Sequence, residues 1–184
     1  GIEAVPGRWE VLVTCISDRA LLEGPPGTPV DPVADLALWE ADPWAGSLPG
    51  RVVSRLRPLR GVLLATSEAQ GSTLNPQAWL NRLGVESEMQ EIPRGVEADP
   101  QALREHFMRV LGDRRRDSVV VDITSGNKPM SVALFSAAED AGAAVTYLET
   151  MRGPNDEEQL AVRLIAEAPH RAPQRDDPQG GDRT

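Results

Sequence analysis

Small polar residues, one glycine and one lysine stand together where the most apolar strand candidate of the chain gives way to its clearest helix. The run is Thr124-Ser125-Gly126-Asn127-Lys128, between a strand predicted at residues 118–123 and a helix predicted at 129–141. Hydroxyl groups donate hydrogen bonds, glycine allows close approach, and a helix start presents N–H groups that have no partner within the helix. With a lysine beside them, these groups favour a site for an anion such as phosphate.

A simpler interpretation of the same run is helix capping. Ser125 or Asn127 can cap the helix, and Lys128 then points into water. Pro129 suits either interpretation, because its missing N–H would have no partner in the first turn. Capping explains one polar residue but not the whole group, so ligand binding is the stronger hypothesis and capping stays open.

The elements around this run alternate between strands and helices. Strands are predicted at residues 10–16, 61–66, 86–92, 118–123, 143–148 and 160–165, and helices at 51–59, 77–83, 100–111 and 129–141. The alternation predicts a Rossmann-like α/β domain, with a mostly parallel sheet flanked by helices on both faces. Strands 10–16, 61–66 and 118–123 are the most continuously apolar and should lie at the centre, whereas 86–92 should form an edge.

Sheets of this kind bind ligands beyond the carboxyl ends of their strands. Three loops follow the central strands: Ser17-Asp18-Arg19, Thr66-Ser67-Glu68 and the run after residue 123. We expect them to meet at one edge of the sheet. The predicted ligand-binding residues are Ser17, Asp18, Thr66, Ser67, Glu68, Thr124, Ser125, Gly126, Asn127, Lys128 and Met130.

Residues 1–166 suit one ordinary domain. Within it, residues 23–50 are rich in proline and glycine, which predicts an irregular insertion with a short helix at 32–41. Residues 167–184 lack apolar periodicity, so we expect a disordered tail or a linker. The chain begins at Gly1 rather than at a methionine, which favours a piece of a longer protein.

Composition excludes several classes of function. A net charge of −9 argues against general nucleic-acid binding, which needs many cations to neutralise phosphates. Cys15 is the single cysteine; we expect it to be buried, without a disulfide, in a cytoplasmic protein. No apolar run approaches the roughly 20 residues that span a membrane. Neither His106 nor His170 has a partner at metal-ligand spacing, so no metal site is predicted.

Common catalytic and nucleotide-binding patterns are also missing from the sequence. There is no phosphate-binding loop with Gly-Lys-Ser/Thr, no Gly-x-Gly-x-x-Gly pattern, and no serine framed as a nucleophile elbow. The chemistry of the chain therefore centres on the run from Thr124 to Lys128.

Residues 119–130 resemble the strand and loop of CRISPR-associated Rossmann fold (CARF) domains. Their usual pattern is Asp or Asn, any residue, Thr-Gly-Gly-Thr-Lys, any residue, Met. The residues that this chain keeps are Asp122, Thr124, Gly126, Lys128 and Met130, and it has Ser125 for the first Gly and Asn127 for the second Thr. Residues 61–68 are similar to the family's second strand and polar loop, and residues 143–147 follow the motif helix as in the family.

The resemblance implies a homodimer that senses a cyclic oligoadenylate, such as cyclic tetra- or hexa-adenylate, in the groove between two copies. It also implies a fused effector domain, absent from this chain, that receives the signal in antiviral defence. No other cofactor is implied. Some relatives cleave the messenger without a metal and are called ring nucleases, which gives the alternative function. A further alternative is an unrelated Rossmann-like nucleotide enzyme whose loop holds a phosphate.

Overall fold

The computed structural model describes residues 2–16, 48–66, 77, 80–81, 83–112, 114–156 and 158–166. Within them, seven strands form one sheet. The strands are β1 (Ile2–Glu3), β2 (Val11–Ile16), β3 (Arg60–Ala65), β4 (Glu86–Glu91), β5 (Val119–Asp122), β6 (Ala144–Arg152) and β7 (Glu158–Ala166). The helices are α1 (Leu48–Leu56), α2 (Pro100–Gly112) and α3 (Lys128–Ala141). None of the helices in these segments is long and apolar enough to cross a membrane.

The strand order is β1-β7-β6-β5-β2-β3-β4. The pairs from β6 through β5, β2 and β3 to β4 are parallel, whereas β7 is antiparallel to both β6 and β1. The predicted Rossmann-like sheet, mostly parallel with β2, β3 and β5 at its centre, is confirmed. From β2 the chain builds β3 and β4 on one side, then β5 and β6 on the other. The strand order therefore reverses between β2 and β5, which is where such sheets open a ligand crevice.

The central strands are apolar on both faces because each face carries its own helical layer. In β2, Leu12 and Ile16 join the core beneath α1. Val13 and Cys15 of the same strand join the core beneath α2 and α3. Helices on both faces were predicted, and the two cores confirm them. The continuous apolar runs in the sequence reflect this double burial.

The first helix differs from its prediction. It spans Leu48–Leu56 rather than residues 51–59, so it begins inside the segment assigned to the insertion. Its end is set by Pro58, because a proline disfavours helical geometry in the residue before it. Arg57, the first residue after the helix, adopts a positive φ of 48°, the left-handed geometry common at that position.

The strands β6 and β7 are longer than predicted. Beyond Thr146, which pairs with Asp122 of β5, β6 pairs with β7 alone, from Tyr147 paired with Arg163 to Arg152 paired with Glu158, while β1 borders β7 on its other side at Arg163 and Leu164. We call residues 147–152 and 158–163 the ribbon. At about 3.3 Å per residue, six residues carry it about 20 Å past the end of β5. Residues 149–152 and 158–159, which were not predicted as strand, are mostly polar, whereas Leu148 and Val162 of the ribbon pack in the core beneath α1.

The strand β4 is an edge strand, as predicted, and it carries Glu86, Glu88 and Glu91. Charges on an exposed edge discourage pairing with other chains. Arg114, the first of three consecutive arginines after α2, pairs with Glu88 at 3.1 Å and donates to the carbonyl of Val110 in the last turn of α2. Its cation thus complements the helix end.

Several predicted segments fall wholly or partly outside the described residues. The helix at 32–41, most of the insertion and the tail at 167–184 are not described. Of the helix at 77–83, Gln77, Leu80 and Asn81 are helical. It ends as expected at Gly84, whose φ is 74° and which is followed by a bond from the Val85 N–H to the Leu80 carbonyl.

Candidate functional site

The loop of residues 123–127, between β5 and α3, lies at the point where the strand order reverses. Gly126 shows this most directly: a methyl group built on it would lie 3.2 Å from Cβ of Cys15, in β2. The loop therefore leaves β5 and passes over the carboxyl end of β2. The loop lies beyond the carboxyl ends of the strands, and its binding of a ligand stays a prediction.

The base of the loop is fixed by a buried carboxylate. Asp122 ends β5, and its Oδ1 accepts a hydrogen bond of 2.9 Å from the Thr124 N–H. Its Oδ2 accepts one of 2.9 Å from the Thr146 hydroxyl on β6. The Thr124 Oγ1 in turn accepts a bond of 2.8 Å from the Leu148 N–H. The loop is thereby tied to β6 on the side away from β2.

The start of the helix is fixed by capping. Asn127 is the N-cap residue, and its Oδ1 accepts a bond of 3.0 Å from the Met130 N–H. The Ser131 hydroxyl donates to the carbonyl of Ile123 at 3.1 Å, which closes the loop on itself. The capping interpretation is therefore right for Asn127. It leaves Ser125, Gly126 and Lys128 unexplained.

These remaining groups are the ones that could bind an anion. Within the described part of the chain, the N–H groups of Ser125, Gly126, Asn127 and Lys128 donate to no acceptor. The Ser125 side chain is only 3% exposed, and its hydroxyl has no partner among the same residues. Buried polar groups are normally satisfied, so the Ser125 hydroxyl calls for a partner, and the unpaired N–H groups of the helix start beside it suit an anion.

Lys128 is the first residue of α3 and is exposed. It is also the single lysine among the 19 Lys and Arg residues of the chain. The ammonium group is a compact point charge, whereas the guanidinium group is planar and larger. The single lysine of the chain thus stands beside the backbone N–H groups of the loop that are unpaired within the described residues.

Burial sets the protonation of the acidic and thiol groups around the loop. Asp122 is fully buried, which raises its pKa from 3.8 to about 6, although hydrogen bonds from Thr124 and Thr146 oppose the rise. Burial likewise raises the pKa of Cys15 to about 12, so its thiol stays protonated at neutral pH. Cys15 is thus a core residue, as expected, and not a nucleophile.

Three predicted ligand residues prove to serve the loop itself. The Thr124 hydroxyl is engaged with Leu148 and Asp122, and the Asn127 amide oxygen caps the helix. Met130 is 2% exposed and packs in the core beneath α3, so its contact with a ligand stays a prediction. These side chains were recognised from a pattern that mixes residues building the loop with residues facing a ligand.

The other predicted loops are described only in part. Thr66 follows the end of β3 at the same edge of the sheet and is half-buried. Ser17, Asp18, Ser67 and Glu68 lie outside the described residues. The residues at the ends of their strands, Ile16 and Ala65, pair with each other at the carboxyl edge. The strands β2 and β3 therefore end side by side at the carboxyl edge of the sheet, as predicted.

Other polar clusters in the described residues lie away from this edge. Two clefts of about 570 and 380 Å³ flank β4, and no motif residue lines them. His106 of α2 lines the smaller one; burial and the nearby Arg109 lower its pKa. Among these residues, no three His, Cys, Asp or Glu side chains gather where a metal ion could bind.

Comparison with known proteins finds similarity in structure but not in sequence. No protein-family model and no curated protein matches the chain. Csm6 from Enterococcus italicus, bound to cyclic hexa-2'-fluoro-hexa-dAMP, matches 81% of this chain with a TM-score of 0.52 and 16% identity. A type III CRISPR defence DNA nuclease activated by cyclic oligoadenylate matches 86% of it with a TM-score of 0.50 and 17% identity. The chain shares its fold with these two structures.

The shared fold makes up only part of each matched protein. The chain spans 34% of the length of Csm6 and 22% of the length of the nuclease. A third structure, Can2 from Sulfobacillus thermosulfidooxidans in complex with cyclic tetra-adenylate, covers 83% of this chain at 16% identity and a TM-score of 0.46, and the chain spans 37% of it. At these identities the likeness concerns the fold alone.

Gly126→Ala should destabilise the folded chain. The φ of Gly126 is 93°, which an alanine rarely adopts, and the added methyl would crowd the backbone-bound Cβ of Cys15. We expect the free energy of unfolding to fall by about 2 kcal/mol in urea titrations. Gly112→Ala is the control, because its methyl would meet no atom within 4 Å. Equal effects of the two changes would contradict the described loop geometry.

Asp122→Asn should change how stability depends on pH. The folded chain holds the proton of Asp122 more tightly than the unfolded chain, so this stabilisation is full below pH ~3.9 and is lost as the pH rises through about 6. Asparagine cannot ionise. From pH 4.5 to 7.5 we therefore expect the parent to lose about 2 kcal/mol of unfolding free energy relative to the variant. Parallel curves in urea titrations would show that Asp122 does not titrate in this range.

Proposed function

We propose that this chain is a sensor domain that binds a cyclic oligoadenylate between two copies of itself. The observation that carries the proposal is the set of unused donors at the strand reversal, namely four backbone N–H groups and the buried Ser125 hydroxyl beside Lys128. Fixed donors of this kind bind phosphate without a large basic surface. They suit a chain whose net charge is −9.

A ring of repeated phosphodiesters explains why each copy needs only one exposed lysine at the loop. Two copies related by a two-fold axis present two identical loops, and a cyclic ligand presents identical phosphates to both. Support for this ligand class comes from Csm6, which was solved with a cyclic hexanucleotide analogue, and from the nuclease activated by cyclic oligoadenylate. Cyclic tetra- and hexa-adenylate are the candidate ligands, and the signal would pass to a fused effector domain.

Binding rather than cleavage is the function that the described loop favours. A ring nuclease must activate a ribose hydroxyl for attack on the neighbouring phosphate. Within the described residues of the loop there is no histidine to act as a general base, the thiol of Cys15 is protonated, and Asp122 is sealed in the core. Incubation with each ring, followed by separation of the products, checks this. Linear products with a cyclic phosphate end would favour the nuclease.

Lys128→Ala should weaken binding far more than folding. A charge-assisted hydrogen bond contributes roughly 1.5 to 3 kcal/mol, and a symmetric dimer loses two at once. We therefore expect calorimetry to show affinity for the cyclic oligoadenylate falling by at least about a hundredfold. The melting temperature without ligand should change little, because Lys128 is exposed.

Arg115→Ala is the matched control for that change. Arg115 precedes β5 at the opposite edge of the sheet and pairs with Asp117 at 3.0 Å. Its loss alters the net charge equally and should leave affinity within a few fold. If both variants bind like the parent, Lys128 is merely solvated and the phosphate site is wrong. An equal drop in melting temperature with and without ligand would make Lys128 structural.

The chain should form a symmetric dimer. Val132 lies one turn after Lys128 in α3 and is 69% exposed, which supports a contact between copies beside the loop. We expect sedimentation at micromolar concentration to give twice the monomer mass, with the dimer strengthened by ligand. A monomer both with and without ligand would contradict the groove between two copies.

A further inference from the structure

Tyr147 stands beside the motif loop and has no part in holding it. It is the single tyrosine of the chain and the first residue of the ribbon. The residues on either side of it are both bonded to the loop. The Thr146 carbonyl accepts from the Ile123 N–H at 3.1 Å, and the Leu148 N–H donates to Thr124 at 2.8 Å. The backbone of Tyr147 is therefore fixed relative to the anion site.

The side chain of Tyr147 points to the face of the sheet that α3 covers. Thr146 turns its hydroxyl to Asp122, and Leu148 packs in the core beneath α1. Since side chains alternate along a strand, Tyr147 lies on the opposite face, as does Val145 in the core beneath α3. Lys128 opens α3 on that same face, at the same edge of the sheet. Tyr147 and the loop donors thus lie on the same face and at the same edge of the sheet.

The ring of Tyr147 is available to a ligand. It is 45% exposed although both neighbours in the strand are buried. Within the described residues its hydroxyl makes no hydrogen bond and its ring meets no other aromatic ring. A half-exposed aromatic ring on a rigid strand is the usual platform on which a nucleic-acid base stacks.

The residues around the ring extend this platform. Arg163 lies directly across from Tyr147 in β7. Its guanidinium is held in place by Glu149 at 2.9 Å and by the Met151 sulfur at 3.4 Å. Guanidinium and thioether groups both make favourable contacts with aromatic rings. The ribbon therefore presents one ordered surface suited to a flat, polarisable group.

We propose that Tyr147 stacks on a purine base of the ligand whose phosphate lies in the loop at Ser125 and Lys128. The assignment rests on the proposed function, and it adds Tyr147 as the residue that contacts the base. Lys128 and the loop N–H groups contact phosphate, which all nucleotides share. Purines offer a larger stacking surface than pyrimidines, so Tyr147 makes the site prefer adenine rings.

The test compares base preference in the parent chain, three variants of Tyr147 and one control variant. Calorimetry measures the affinity for cyclic tetra- and hexa-adenylate and for the cyclic oligouridylate of the same ring size. Tyr147→Phe keeps the ring and should bind within about threefold of the parent. Tyr147→Ala and Tyr147→Leu should lose about tenfold or more for the adenine ring and less for the uridine ring, so that the preference for adenine shrinks. Ile165→Ala, an exposed apolar residue outside the ribbon, should bind like the parent.

Each other outcome overturns the assignment in an identifiable way. If Tyr147→Ala binds the adenine ring like the parent, no base stacks on Tyr147. If the Ala and Leu variants lose both rings equally, or sediment as monomers, Tyr147 belongs to the contact between copies. If the parent chain binds neither adenylate ring, the proposed function fails and this assignment fails with it. Binding by the parent without an effect at Tyr147 removes only the assignment.

Discussion

The buried carboxylate of Asp122 is the interaction on which the site depends. It joins three separate parts of the chain: the end of β5, the backbone of Thr124 in the loop, and the hydroxyl of Thr146 in β6. Taking a carboxylate out of water is costly, and the raised pKa of Asp122 shows that its hydrogen bonds offset the cost only in part. The domain accepts this cost at one place, directly below the anion loop.

The short segment from Asp122 to Ser131 contains two kinds of group: side chains that hold the loop and backbone N–H groups that have no internal partner among the described residues. Asp122, Thr124, Asn127 and Ser131 hold the loop through their side chains. As a result the backbone N–H groups from Ser125 to Lys128 are left pointing away from internal partners. A loop fixed in this way loses little conformational entropy when a ligand arrives, so more of the interaction energy appears as affinity. The strand order reverses at the same place, and the ribbon extends past the end of β5 beside it.

The sequence predicted what burial and local chemistry determine. The strands β2, β3 and β5 were found because both of their faces are apolar, and α3 was found because Asn127, Pro129 and Gly142 mark its ends. The outer part of the ribbon, residues 149–152 and 158–159, was missed because polar residues such as Glu149 and Arg152 leave no apolar pattern there. Tyr147 gave no signal in sequence, since its significance lies in exposure beside a loop distant in the chain.

Within the motif, sequence could identify the site but not the role of each residue. Thr124 and Ser125 are both small hydroxyl residues, yet one is bonded to β6 and the other has no partner among the described residues. That difference arises from the register between β5 and β6, which no local pattern encodes. Ser17, Asp18, Ser67 and Glu68 stay predictions, supported by the pairing of Ile16 with Ala65 at the carboxyl edge.

The measurement that tests the central claim most directly is a thermal-shift series on this chain with cyclic oligoadenylates of different ring sizes and with mononucleotides. A ligand that binds only the folded state raises the melting temperature by mass action, increasingly so with concentration. We expect one ring size to raise it at micromolar concentration while AMP and ATP leave it unchanged. A rise with mononucleotides and none with any cyclic oligoadenylate would contradict the account and favour a Rossmann-like nucleotide enzyme.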